Sequence, residues 1–274
     1  MIEESLSFAL NGIDQPHQVA LILLAHVLNK PKTWVLAHPE AHLNPDQKAR
    51  LEHLVSRLQE GEPLPYLTGK QAFYGLDFAV NPDVLIPRPE TELLVEEALD
   101  WLAAHPNGKT VLEVGTGSGC IAISLATCNT RLAITATDIS SAALKLARQN
   151  AAIHQVSAQI TFTQADLLPN TSDTFDLVCA NLPYIPSQKL SSVNTHGFEP
   201  NLALDGGADG LRLIRRLLDH LPSRLNYPSV VLLEIEASLG AETLELAYAA
   251  FPNACVTLIQ DLAGLDRLVR IELS

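Results

Sequence analysis

The chain is short of positive charge, with 18 Lys and Arg against 31 Asp and Glu in 274 residues and a formal net charge of −13. Binding along a nucleic-acid backbone needs clustered cations that displace counterions, so no broad phosphate-binding surface is expected. Aromatic residues are scarce too, at 5%, which argues against the stacking platforms of single-strand binders. No apolar run is long enough to span a bilayer, since residues 19–28 contain His26 and stop well short of that length. The start, Met1-Ile2-Glu3-Glu4, is acidic where a secretory leader is basic, so a cytoplasmic protein is expected. Cys120, Cys128, Cys179 and Cys255 form no CxxC pair and sit among apolar neighbours. They read as buried reduced thiols. His17, His26, His38, His42 and His53 match no ligand spacing, and no metal site is expected. Internal repeats and low-complexity segments are also absent.

What is present is an ordinary globular composition, 47% hydrophobic and 18% charged, long enough for one large domain or a domain plus a smaller one. Residues 1–70 read as helical. Val19, Leu23 and Val27, then Leu51, Leu54, Val55 and Leu58, recur at helix spacing, and Asn44-Pro45 before Asp46 marks a helix start. Residues 73–80 carry aromatic and β-branched residues around Gly75 and predict a hairpin. Asn81-Pro82 and Ile86-Pro87-Arg88-Pro89 then form a rigid connector, and Thr91 is expected to cap a helix over 92–104. Beyond it, short apolar runs at 110–114, 132–137, 159–163, 175–180, 229–235 and 256–260 alternate with helical stretches such as 141–152 and 211–221. That alternation predicts an α/β fold with a mainly parallel sheet covered by helices. The expected domains are 1–70, a linker at 71–90, and 91–274.

Two motifs carry chemistry. In Glu113-Val114-Gly115-Thr116-Gly117-Ser118-Gly119, a strand ends in a glycine turn that opens a helix, at the sheet edge where such folds bind ligands. A dinucleotide fingerprint needs glycine at position 120, where Cys120 stands, so the turn suits S-adenosyl-L-methionine better than a pyrophosphate. Asp138, about twenty residues on, is placed to accept the ribose hydroxyl protons. Asp166 is assigned to the adenine amino edge, Leu167 to its face, and Glu113 to the cofactor's ammonium group. The second motif, Asn181-Leu182-Pro183-Tyr184, follows an apolar strand. An amide or exocyclic amine nitrogen is a poor nucleophile because its lone pair is delocalised. The Asn181 side-chain carbonyl and the Leu182 backbone carbonyl can accept its two N–H groups, and both bonds strengthen as the nitrogen gains positive character. Pro183 holds Leu182 extended, and Tyr184 offers an aromatic face to a flat substrate group. No ionised general base is required.

These residues resemble the release factor glutamine methyltransferases (the PrmC/HemK family) over about residues 64–270. The resemblance rests on Pro65-Tyr66-Leu67-Thr68-Gly69, Phe73-Tyr74-Gly75, Ile86-Pro87-Arg88-Pro89-Glu90-Thr91-Glu92, the two motifs above, Phe198-Glu199-Pro200, Leu204-Asp205-Gly206-Gly207, and Asp261-Leu262-Ala263-Gly264 with Arg267. It implies a Rossmann-like, seven-stranded class I methyltransferase domain with a helical amino-terminal domain that helps dock the partner. It further implies methylation of the N5 amide nitrogen in the Gly-Gly-Gln loop of peptide-chain release factors, yielding S-adenosyl-L-homocysteine. Cofactor contacts carry over to Gly115, Thr116, Gly117, Ser118, Gly119, Asp138, Leu167 and Asn181. Substrate contacts carry over to Asn181, Leu182, Pro183 and Tyr184. One departure is visible. Leu182 stands where the family has the first of two prolines, which puts the loop's preorganisation in question. The competing readings are glutamine methylation of a ribosomal protein, amino-methylation of a nucleic-acid base, and a non-catalytic cofactor-binding module. A monomer is expected.

Overall fold

The structure, a computed structural model, describes Leu10 and residues 12–193 and 197–274; Met1, Ile2, Glu3 and Glu4, on which the leader argument rests, lie outside the described residues. The chain divides into two compact units, Met1–Lys70 and Gln71–Ser274.

In the first unit, helices α1 (Pro16–Leu28), α2 (Lys32–Ala37), α3 (Pro45–Gln59) and α4 (Leu64–Thr68) enclose a core built on Leu23, Leu24 and Val27 against Leu51, Leu54 and Leu58. Helix α3 starts as the sequence predicts. The Asn44 side chain accepts from the Gln47 backbone N–H at 2.8 Å, and the Gln47 side chain accepts from the Asn44 N–H at 3.0 Å. This reciprocal pair satisfies two of the amides that a helix leaves open at its start.

The hairpin of β1 (Lys70–Phe73) and β2 (Leu76–Ala79) starts on the last residue of the first unit and leads into the second, where α5 (Glu92–Ala104) follows. The main sheet of the second unit then takes up β3 (Thr110–Val114), β4 (Ala133–Asp138), β5 (Ile160–Gln164), β6 (Phe175–Ala180), β9 (Leu225–Glu234), β10 (Cys255–Gln260) and β11 (Asp266–Leu273). The spatial order is β5-β4-β3-β6-β9-β11-β10, with the strands from β5 to β9 paired in parallel and β11 antiparallel to both of its neighbours, β9 and β10. The seven strands are those the resemblance implies. Helices α6 (Cys120–Cys128), α7 (Ser141–Ile153), α9 (Arg212–His220) and α10 (Gly240–Ala250) alternate with the strands; the short α8 (Leu190–Val193) and a small parallel pair, β7 (Ile185–Pro186) with β8 (Asp205–Gly207), follow β6. Burial on both faces explains the unbroken apolar strands: Val111, Leu112 and Val114 of β3 are all 1% exposed or less.

Two sequence expectations change. Cys120 and Cys179 are buried, but Cys128 and Cys255 are exposed, because one ends its helix and the other begins the edge strand β10. Strand β11 escapes the apolar-run reading because Arg267 and Arg270 interrupt it. Arg270 is neutralised by Glu97 at 3.1 Å and Glu272 at 2.7 Å, while Leu268, Val269 and Ile271 are buried.

Buried Asn150 on α7 joins the hairpin to the glycine turn. Its Oδ1 accepts from the Ala79 N–H at 2.8 Å, and its Nδ2 donates to Ala79 O at 3.0 Å and Ser118 O at 2.8 Å. Asn150→Leu leaves all three groups without that partner inside the protein. It is expected to cost roughly 2–4 kcal/mol, read as a lowered urea midpoint. An unchanged midpoint would remove Asn150 from this role.

Candidate active site

Registers Val114↔Thr137, Val114↔Ala180 and Ala180↔Leu233 bring the carboxyl ends of β3, β4, β6 and β9 level. The order of strands reverses between β3 and β6, the place where open α/β sheets leave a crevice. A cavity of about 600 Å³ lies there, lined by the glycine turn, Asp138, the 165–167 segment, residues 181–183 and the connector residues around Arg88 and Thr91.

The turn is held from β4. The Gly115 and Thr116 N–H groups both donate to Thr137 O at 2.9 Å. Gly115 and Gly117 have φ of +77° and +54°, where a side chain is strained. A Cβ on Gly117 would meet no protein atom within 4 Å, so its absence keeps open space beside the cavity wall. Asp138 is tied down at both oxygens, with Gly117 N–H donating to Oδ2 at 2.9 Å and Ser140 N–H to Oδ1 at 2.8 Å. Burial raises its pKa, and the amide bonds from Ser140 and Gly117 oppose that rise. Each oxygen keeps a second lone pair for a hydroxyl donor.

Glu113 is only 1% exposed, yet it belongs to the cavity wall. Its Oε2 accepts from Thr116 Oγ1 at 2.5 Å, while Oε1 is buried without a hydrogen-bond partner among the described residues. Burial pushes its pKa up to about 8. A cationic ligand beside it would favour the ionised form. The orphaned acceptor, the open space at Gly117 and the paired lone pairs of Asp138 together fit an adenosyl cofactor bearing an ammonium group.

Three predicted site residues stand differently from expectation. Gly119 does not line the cavity; a Cβ there would lie 2.9 Å from Ile123 Cδ1 and 3.2 Å from Ala147 Cβ, so this glycine lets α7 pack on the turn. Asp166 does line it, but is exposed and paired with Arg216 at 2.9 Å. Tyr184 does not line it; its half-buried ring has Glu234, Arg267, Arg88 and Glu90 as charged neighbours, and burial pushes its pKa up to about 12. Thr116, Ser118 and Leu167 lie in the wall. Leu167 adopts φ +71°, unusual for a side-chain-bearing residue, with its carbonyl fixed by Thr137 Oγ1 at 2.7 Å.

In the second motif, Asn181, Leu182 and Pro183 face the cavity. Leu182 is 4% exposed and joins the apolar core with Val114 and Ala180. A Cβ on Gly115 would come within 3.2 Å of its Cδ2. The loop that lacks the family's first proline is therefore anchored by packing. It is also pinned beyond Tyr184, where Ile185 N–H donates to Leu204 O at 2.9 Å and a Cβ on Gly206 would lie 2.7 Å from Tyr184 Cα.

Sequence reasoning misread or missed the supports. Thr91 makes no side-chain cap to α5, because the preceding 3-10 turn, Pro89–Thr91, already runs into the helix. Its hydroxyl accepts from Asn181 Nδ2 at 3.1 Å. Arg88 pairs with Glu199 Oε2 at 2.6 Å, and Ile86 N–H donates to Glu199 Oε1 at 3.1 Å, so the proline-rich connector is clamped by the segment after β6. Glu234, 2% exposed at the end of β9, gave no signal beyond interrupting the apolar run 229–235.

Comparison with known proteins settles the family. Residues 5–69 match the PrmC N-terminal domain and residues 90–198 the methyltransferase small domain. The release factor glutamine methyltransferase of Bacillus anthracis is 35% identical over 96% of this chain and 94% of its own length. That of Koribacter versatilis is 39% identical over 93% of this chain and 90% of its own. The chain belongs to the release factor glutamine methyltransferase family. As in that family's name, its second unit is a methyltransferase domain. Among solved structures, the catalytic domain of human METTL16 with an RNA hairpin aligns at a TM-score of 0.58 and 16% identity, over 84% of this chain and 83% of that one. This likeness shows the fold alone.

Proposed function

We propose that this methyltransferase moves a methyl group from S-adenosyl-L-methionine to the side-chain amide nitrogen of the Gly-Gly-Gln glutamine of peptide-chain release factors. The observation that carries the reading is the Asn181 amide. With Nδ2 given to Thr91, the remaining Oδ1 is the acceptor for a substrate N–H at the cavity wall. When bound, the cofactor would supply an electrophilic methyl and leave as S-adenosyl-L-homocysteine as the S–CH3 bond breaks and the N–CH3 bond forms, and the methylated nitrogen would then give up one proton to water. Glu113, Asp138, Leu167 and the glycine turn would hold the cofactor, and Asn181 with the Leu182 carbonyl would orient the substrate amide NH2 for transfer. Those two acceptors gain strength as the nitrogen becomes positive, which lowers the barrier selectively. The helical first unit contributes to docking the release factor. The protein acts in the cytoplasm as a monomer.

Asp138→Ala removes the acceptor assigned to the ribose and an anchor of the turn. Cofactor affinity is expected to fall by about 10- to 100-fold, with turnover at saturating cofactor much less affected. Isothermal titration and saturation kinetics read the two effects separately. Transfer of label from S-adenosylmethionine to a purified release factor, with ribosomal protein and DNA as parallel acceptors, tests the substrate class. Label in either of the latter and none in the release factor would replace the reading.

A further inference from the structure

We infer that Thr91 and Glu234 are positioning residues that lock the Asn181 side-chain amide with its oxygen toward the cavity, and this rests on the function proposed above. An asparagine amide has two nearly isosteric ends with opposite hydrogen-bonding character. Only one orientation offers an acceptor to a substrate N–H. The other presents an NH2 group to an NH2 group and cannot bind it.

Three observations fix the choice. Asn181 Nδ2 donates to Thr91 Oγ1 at 3.1 Å, and Thr91 is 2% exposed and free of any capping duty. The last register pair of parallel β6 and β9 is Ala180↔Leu233, so Asn181 and Glu234 follow it on neighbouring chains, and the Asn181 and Thr91 side chains both hydrogen-bond with the Glu234 carboxyl. The Glu234 carboxyl, 2% exposed, leaves Oε2 without a hydrogen-bond partner among the described residues. An ionised carboxylate accepts and cannot donate, so it favours the amide NH2 end on its side and repels the oxygen. Neither residue needs to touch substrate. Glu234 is not part of the cavity wall.

The support is rigid. Thr91 ends the connector clamped by the Arg88–Glu199 pair, and Glu92 Oε1 accepts from the Tyr74 N–H at 2.8 Å. The charges facing Glu234 are Arg267 of β11, which favours its ionised form, and Glu90, which opposes it; Tyr184 and Cys120 are its other titratable neighbours. Burial outweighs these and pushes the Glu234 pKa up to about 7. Below that pH the carboxyl acquires a proton that it can donate to Asn181 Oδ1, and the lock loosens. Turnover at saturating cofactor should therefore fall on the acid side of neutrality.

The test measures kcat at saturating S-adenosylmethionine, its pH profile, and cofactor affinity for four variants. Thr91→Val, close to isosteric, should lower kcat about tenfold while cofactor affinity stays within about twofold, and Thr91→Ser should restore most of the rate. Glu234→Gln should lower kcat and flatten the acid limb, since its amide can offer either end and does not titrate. Wild-type kcat in Thr91→Val, or an acid limb that persists in Glu234→Gln, would overturn the inference. If Thr91→Val does not fold, as shown by lost cofactor binding, the Glu234→Gln pH profile decides. Asn181→Ala separates the two levels. Retained turnover there would sink the function reading itself, whereas a dead Asn181→Ala beside unaltered Thr91 and Glu234 variants would sink only the positioning role.

Discussion

Asn181→Ala is expected to lower kcat by about 10³-fold or more while changing cofactor affinity by less than about threefold. The substitution removes one of the two acceptors assigned to the substrate NH2 group at the cavity wall. The loss falls on the transition state because the hydrogen bond strengthens as the nitrogen turns cationic. Folding should survive. Asn181 is only half-buried and lines the cavity, so removing its side chain leaves no hole in the core. Saturation kinetics with a release factor, run beside calorimetric titration of the cofactor, separate the two quantities. Near-normal turnover at saturating cofactor would refute the amide clamp.

Gly210→Ala should be as damaging to turnover, for a different reason. Gly210 has φ +84°, and a Cβ there would collide with the Tyr184 carbonyl oxygen. The obstacle is backbone, so no side-chain rotation relieves it. Either the loop carrying Asn181 to Tyr184 shifts or the 206–210 segment moves away. A displacement of about 1 Å in a reacting group costs on the order of 10² in rate, and the strain costs roughly 1–3 kcal/mol of stability. Gly117→Ala is the informative contrast. Its φ of +54° is strained too, but its Cβ would meet no protein atom within 4 Å. It should spare the reacting loop and weaken cofactor binding instead. Comparable kcat losses in both variants, with equal cofactor affinities, would contradict this division.

The contrast also shows where sequence reading stops. The glycine turn and Asp138 were legible because local geometry dictates them: a sharp turn at a strand end needs positive φ, and the next strand delivers its last residue beside it. The Asn181 segment alone reads as an asparagine–proline turn after a strand, and it points to a reacting site only together with the glycine turn upstream. Roles that depend on contact between distant segments were not legible. Gly119 has the same local signature as Gly115 and Gly117, and only the approach of Ala147 shows that it serves packing. Thr91 had the pattern of a helix cap, and the 3-10 turn before it released the hydroxyl for a residue 90 positions away. Gly206 and Gly210 matter because of where Tyr184 lies, which no spacing rule encodes. Leu182 gave the opposite lesson. Judged as a lost proline it implied a looser loop, whereas its burial beneath Gly115 supplies an anchor of another kind.

The most direct measurement is peptide-mapping mass spectrometry of a purified release factor incubated with this protein and isotopically labelled S-adenosylmethionine. The account predicts a single added methyl on the side-chain nitrogen of the Gly-Gly-Gln glutamine, absent when Asn181→Ala replaces the wild-type enzyme. An unmodified glutamine, in a reaction where calorimetry shows the cofactor bound, would contradict it.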